Sequence, residues 1–263
     1  MSTRTWRRPP LIASPAVRYG LIAGGAVYLL LAVSSIDVDW ARLQEGLPRG
    51  AQFLGGFFPP DFTTRGDEIV AGLLESVWMT IVSTVVGIAI SVPVALGASA
   101  NIAPRPVYFA CRALLAVSRS FQEVILAVLF VALFGFGPFA GFVTLVVATI
   151  GFFGKLLAEE IEEIEKRPAE AIRSVGASGP QWLVWAVWPQ VAPRFVGLSL
   201  YRLDINFRES AIVGIVGGGG IGATLSTAFD RYEFDSAAAI LLVIIAIVLG
   251  VEWTSGIIRQ RVQ

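Results

Sequence analysis

Six stretches of the chain stay predominantly apolar over about 20 positions or more, enough to cross a hydrocarbon layer roughly 30 Å thick. They run Val17–Ile36, Ile69–Ala100, Arg112–Phe134, Phe139–Leu157, Val191–Val216 and Ser236–Ile257. Helix is the predicted form of each, because a helix pairs its own backbone groups and an open sheet edge cannot lie in lipid. The second stretch is long enough to hold an interfacial lead-in, and Pro93 is placed to kink it. Between the first two lies an outer segment, Asp37–Glu68, in which Gly55-Gly56 and Pro59-Pro60 break regular structure. It is too short for a domain, and its expected place is along the membrane surface. The pattern predicts an all-α polytopic membrane protein, one domain over 1–263 with six transmembrane helices and a larger inner excursion at Ala158–Gln190.

Composition agrees. The 263 residues are 55% hydrophobic and 15% charged, with a mean hydropathy of +0.71, whereas a soluble domain carries about 25% charged residues. Twenty basic and twenty acidic residues cancel, so no net field draws a nucleic acid. Histidine is absent and Cys111 is the sole cysteine. That excludes an internal disulfide framework and thiolate metal clusters, and leaves no predicted metal site.

The first stretch follows Arg4, Arg7 and Arg8, and Ala32-Val33-Ser34 resembles a signal cleavage site. Its apolar core exceeds the roughly 7–15 residues of a signal peptide, so an uncleaved anchor is predicted. The doublet Arg7-Arg8 lacks other support for a twin-arginine signal. With the N-terminus inside, fourteen basic residues fall at inner ends and loops: Arg4, Arg7, Arg8, Arg18, Arg105, Arg112, Arg119, Lys155, Lys166, Arg167, Arg173, Arg194, Arg259 and Arg261. Only four, Arg42, Arg49, Arg65 and Arg231, fall outside. By the positive-inside bias, both termini are expected in the cytoplasm.

The inner excursion opens with Ala158–Arg167, AEEIEEIEKR, where Glu162 precedes Lys166 and Glu163 precedes Arg167 by four residues. That spacing predicts a solvated helix prolonging the fourth span, ended or bent by Pro168. A short helix at Glu170-Ala171, a turn at Gly176 and Gly179-Pro180, and a return bearing Trp182, Trp185 and Trp188 follow. Tryptophan favours the headgroup layer, so the loop is expected against the membrane face.

The segment Glu170–Pro189 resembles the EAA loop of ABC-importer permeases, with Glu170, Ala171, Gly176 and Pro189 in register and Ile172, Ala186 and Trp188 departing from the pattern. Ser118–Gly141, Thr149–Ile164 and Tyr201–Gly222 are similar to permeases of phosphonate-type importers, so the likeness covers roughly Ser118–Val248. Gln122, Asp204 and Glu209 depart from it, standing where proline, glutamate and a small residue are usual. The resemblance implies a type I importer permease fold in a bacterial inner membrane. It implies two permease copies, or this chain with a paralogous permease, framing a path for phosphonate, phosphate or a related oxyanion. Two cytoplasmic ATPase subunits would carry ATP and Mg, an extracytoplasmic binding protein would deliver substrate, and lipid would surround the chain. The loop would dock in the ATPase, and the chain itself would catalyse nothing and hold no cofactor.

Charged groups inside a bilayer cost roughly 2.5–3.5 kcal/mol each on insertion scales, so each calls for a role. Arg119, Gln122 and Glu123 share one face of the third stretch, about 100° wide at 100° per residue; in the fifth, Arg202, Asn206 and Glu209 form a stripe. Asp204 and Arg208 lie nearly opposite that stripe, spaced to pair. These residues are candidates for the translocation path, with Arg119 or Arg202 on the oxyanion. Alternatively they pair between helices, Glu123 with Arg202 for instance. Arg119, Arg202 and Arg208 balance Glu123, Asp204 and Glu209, so anion preference comes from the resemblance alone.

Gly217, Gly219, Gly220 and Gly222 sit within a G-x-G-x-x-G run, but no βαβ unit surrounds it, so a hinge or re-entrant turn is expected instead of a dinucleotide site. Gly154-Lys155 lacks the rest of a P-loop. A secondary transporter or channel would need no ATPase and usually shows repeated halves, and no sustained repeat is visible. An intramembrane enzyme would need a catalytic cluster that the sequence does not offer.

Overall fold

A computed structural model describes residues 14–35 and 40–262. Arg4, Arg7 and Arg8, which the orientation argument used, lie outside the described residues. The chain divides into two units, Met1–Gly55 and Gly56–Gln263.

The first unit holds α1 (Pro15–Ser34) and α2 (Trp40–Gly55). Pro15 opens α1 at a position whose amide would have no helical partner anyway. α1 is apolar on all sides and buries none of its residues, as a lipid-facing span does. α2 contains Glu45 and Arg49, paired across one turn at 3.7 Å, and ends at the Gly55-Gly56 pair.

The second unit begins with α3 (Gly66–Gly97), α4 (Arg105–Ser120), α5 (Glu123–Phe134) and α6 (Pro138–Glu162). Two short helices follow, α7 (Lys166–Ser174) and α8 (Gly179–Trp182), then a π segment at Leu183–Val187. α9 (Trp188–Val213) leads into a second π segment at Gly214–Gly218, and α10 (Gly220–Asp230) and α11 (Phe234–Val262) finish the chain.

The long α3 and α6 pack along each other at the centre. Their contact is made of small and hydroxyl-bearing residues: Ser76, Thr80, Ser83, Thr84, Gly87 and Ser91 are buried on α3, and Thr144, Ala148 and Thr149 on α6. A side chain at Gly87 would run into Thr149, so the helices meet at nearly backbone distance, as small residues allow in membranes. Several of the hydroxyls donate within their own helix: Thr84 donates to the Thr80 carbonyl at 2.6 Å and Thr149 to that of Leu145 at 2.6 Å. One apolar cluster around Phe153, Leu157, Trp182 and Val187 closes the coupling-loop end. Another around Ile69, Ile221 and Ile240 closes the opposite end.

Four helices are each long and apolar enough to cross a membrane, and two bent pairs bring the number to six. The bends correct the expectation of straight spans. The third span breaks by 92° between α4 and α5, with Phe121 and Gln122 extended (ψ 134° and 144°). The causes are local. Ser120 turns its hydroxyl onto the Ala116 carbonyl at 2.8 Å, and Ser118 reaches the Val147 carbonyl on α6 at 2.8 Å. Glu123 then opens α5, where the helix dipole favours an acid. Arg119, Gln122 and Glu123 therefore do not share one helix face; they surround the break. The fifth span runs on past Val216, through the second π segment, and bends by 54° into α10.

The inner excursion also differs from expectation. α6 ends at Glu162 instead of running to Arg167, so neither predicted four-residue ion pair forms. Glu162 instead accepts from Arg112 at 2.8 Å and from the Ala100 amide at 2.7 Å. Of these partners on other elements, Arg112 is less exposed than Lys166. Pro168 does not stop a helix: it lies in the first turn of α7, where it costs no hydrogen bond.

Candidate functional site

The segment Glu170–Pro189 is held by Trp182. Trp182 is 6% exposed and donates from Nε1 to the Ala169 carbonyl at 3.0 Å, while the Arg173 guanidinium lies 4.3 Å over its ring. Ser178 and Gln181 close a capping box at the start of α8. Glu165 and Gln190 tie the two ends of the loop at 2.8 Å, and Arg194 pairs with Glu160 at 3.0 Å. So fixed, α7 turns Ala169 inward and leaves Glu170 and Ala171 exposed. Gly176, with φ +82°, makes the turn beyond it. Pro189 is exposed in the first turn of α9.

The intramembrane polar residues separate into two groups. Arg202 and Asn206 are enclosed among α3, α6 and α9, at 1% and 0% exposure. Arg202 Nε donates to Thr149 Oγ1 at 3.0 Å. Asn206 Nδ2 donates to Thr149 Oγ1 at 2.9 Å and to Thr84 Oγ1 at 2.8 Å. Arg202 also lies 5.3 Å over the Phe152 ring. No ion pair within 4.0 Å joins it to Glu123 among the described residues, although the charges of Glu123 and Glu209 both act on it. Asp204 is buried and pairs with the exposed Arg208 at 3.1 Å, as their spacing predicts.

The second group is open. Around the α4–α5 break, Ser118, Arg119, Ser120, Phe121, Gln122, Glu123, Ala148 and Phe152 line a cavity of about 390 Å³. Its donors for a ligand are the Arg119 guanidinium and the Gln122 amide, since the Ser118 and Ser120 hydroxyls already donate to backbone carbonyls, and its one acid is Glu123. Such a lining offers charge-assisted and amide hydrogen bonds to a compact anion. Phe152 forms a wall shared with Arg202, and Glu209 is half-buried nearby, its charge felt alongside that of Glu123.

The glycine run forms the joint between the second π segment and α10. Gly217, Gly219 and Gly220 have φ of +101°, +79° and +71°, a region side chains avoid. A Cβ at Gly222 would strike the Ala211 carbonyl. Two residues of α3 hold the joint: Glu75 accepts from the Gly220 amide at 2.7 Å and Ser76 from the Ile221 amide at 2.9 Å. Across it, the Gly137 amide donates to the Gly217 carbonyl at 2.9 Å.

Sequence reasoning missed Thr84, Thr149, Glu75, Ser76 and the serines of the cavity. One signal was available. Glu75 is the only charged residue in the Ile69–Ala100 stretch, and an isolated intramembrane acid asks for a partner.

This fold and site define a class. The chain belongs to the family of binding-protein-dependent transport system inner membrane components, whose pattern matches residues 69–263. It is an inner-membrane transport subunit, and the readings of a secondary transporter and of an intramembrane enzyme give way to that membership. Among its relatives, the phosphate-import permease protein PhnE of Mycolicibacterium smegmatis is 44% identical over 204 residues, covering 77% of this chain and 38% of that protein. The chain thus spans well under half of that relative's length. The phosphite transport system permease protein PtxC of Stutzerimonas stutzeri is 37% identical over 257 residues, covering 97% of this chain and 90% of the relative. In fold, a chain of the MetNI methionine ABC transporter superposes with a TM-score of 0.65 at 24% identity, over 74% of this chain and 96% of that one.

Proposed function

We propose that this chain forms the translocation path for phosphite, phosphate or a phosphonate in an ABC importer, and that its Glu170–Pro189 loop takes up the motion of a separate ATPase. The observation that carries the oxyanion reading is the cavity at the α4–α5 break, which the Arg119 guanidinium and the Gln122 amide both line. Arg119, Gln122, Glu123 and Glu209 are its path residues. Arg202 and Asn206, enclosed and bonded to Thr149, hold the wall behind it, and Asp204 ties Arg208 beside them. The phosphate-import and phosphite-transport permeases among its relatives point to the same class of anion.

The coupling reading is supported by an α7 fixed through Trp182 while Glu170 and Ala171 face outward. Two copies of the chain, or this chain and a paralogue, would enclose the path between them. A binding protein would deliver the anion from outside, and ATP with Mg would be bound by the ATPase pair. The loop end and both termini then lie in the cytoplasm. The run at Gly217, Gly219, Gly220 and Gly222 serves as a hinge of the path.

The test is co-expression with the cognate ATPase and binding protein. The Glu170→Ala/Gly176→Asp double variant should lose ATPase co-purification. Arg119→Gln should keep it but lower proteoliposome uptake about tenfold, the worth of one charge-assisted hydrogen bond. Undiminished co-purification of the double variant would overturn the coupling assignment, and undiminished uptake by Arg119→Gln the anion path.

A further inference from the structure

The cavity at the helix break continues toward the coupling-loop end. There a second cavity, of about 250 Å³, is lined by Arg112, Leu115, Ala116, Arg119 and Lys155. Arg119 belongs to both cavities. On α4, Arg112 and Arg119 are seven residues apart, which places them on one face about 10 Å from each other along the axis. On α6, Phe152 lines the first cavity and Lys155, one turn on, lines the second. The two cavities are therefore successive levels of one groove between α4 and α6.

Their charge differs. The first lining holds one cation and one acid, and the second holds three cations and no acid. Three like charges so close would repel strongly in a weakly polar setting. The structure relieves this from behind the lining: Lys155 Nζ lies 3.4 Å from Glu159 Oε1, and Arg112 Nη2 lies 2.8 Å from Glu162 Oε2. Both acids belong to α6. The Lys155 and Arg112 side chains keep 40% and 27% exposure, so each can exchange its acid for an arriving anion.

We infer that Arg119, Lys155 and Arg112 form a stepped cationic exit, and that the second cavity is a relay site for the same phosphorus oxyanion. This rests on the oxyanion reading of the first cavity. An anion leaving that cavity turns away from Glu123 toward rising positive charge, with Arg119 in reach throughout. Lys155 is suited to the hand-over because its ammonium is a compact charge with three donors on a flexible stem. Glu159 and Glu162 reclaim the cations as the anion departs, which keeps the site from becoming a trap.

The test uses the complete transporter in proteoliposomes, with radiolabelled phosphate, phosphite and methylphosphonate as probes. Lys155→Gln should lower uptake per ATP hydrolysed about tenfold for the anion carried, and Lys155→Arg should restore most of it. A cysteine variant, Lys155→Cys in a Cys111→Ser background, tests charge on protein already assembled. A cationic methanethiosulfonate should restore uptake and an anionic one should not. Uptake by Lys155→Gln within about twofold of the parent, or equal rescue by both reagents, overturns the relay. If Arg119→Gln alone is impaired, the first cavity stands and the relay falls. If neither variant is impaired for any of the three anions, the oxyanion reading falls with it.

Discussion

At Thr149 one hydroxyl accepts from Arg202 Nε and Asn206 Nδ2 while donating to the Leu145 carbonyl, and Asn206 extends the chain of bonds to Thr84 on α3. Thr149→Val keeps the shape and removes both acceptor bonds, leaving two buried donors unpaired at a cost of about 1–3 kcal/mol. Its melting temperature in detergent should fall clearly, and Thr149→Ser should recover most of the loss. An unchanged melting temperature would show that the network contributes nothing to stability. Outside the spans, Arg65 binds Glu233 and Glu68. The hydrogen bond that Arg65 donates to Glu233 holds the Glu233 carboxyl below its ordinary range and raises Arg65. A carboxyl lowered in the folded state stabilises it above the ordinary value near 4.3, and the gain is lost as pH falls through the folded value. Glu233→Gln should therefore melt below the parent at pH 7, with the gap closing below about pH 4. The stripe of Arg202 and Asn206, and the Asp204–Arg208 pair, were legible because both depend only on spacing along one helix. Thr149 and Thr84 were not, because they lie 53 to 122 residues from their partners.

The elements show the same division between local and distant causes. All six apolar stretches of the sequence are helical, since length and hydropathy suffice to specify a span. The bend into α10 falls at the glycine run that the sequence marks as a hinge or re-entrant turn, whereas the α4–α5 break escaped the pattern, because no proline marks it. Ser118 ties the last turn of α4 to α6, and the glycine joint is held from α3. Glu75 is the residue on which the joint can be tested. Its carboxylate caps the first turn of α10, where a negative charge also meets the positive end of the helix dipole. Glu75→Ala should cost about 1–2 kcal/mol, and Glu75→Gln, which keeps an acceptor but loses the charge, less than half of that. Thermal shift of the purified protein measures both. A Glu75→Ala variant as stable as the parent would mean that the Gly220 amide finds another partner and that the joint does not depend on α3.

For the molecule as a whole, the function proposed above places its two surfaces on one α4–α6 frame. Glu162 ends α6, binds Arg112 on α4 and the amide of Ala100, and so fixes the point from which the coupling segment departs. The same two helices line both cavities. On the proposed reading, a push on α7 would reach the elements that line the groove through the Trp182 anchor and the apolar cluster around Phe153 and Leu157. The Glu170–Pro189 segment stood out in the sequence because its glycine, proline and acid sit at fixed offsets. The groove could not, because it is formed by residues of two helices facing each other across a bend.

That bend has a consequence for the lipid itself. A right-angled interruption strips several peptide groups of their helical partners at Phe121 and Gln122, and hydrocarbon offers them nothing in exchange. They have to be solvated where they are. If the groove is the path proposed above, water drawn to these groups would sit inside it, and cargo would shed and regain its hydration there without crossing a dry slab.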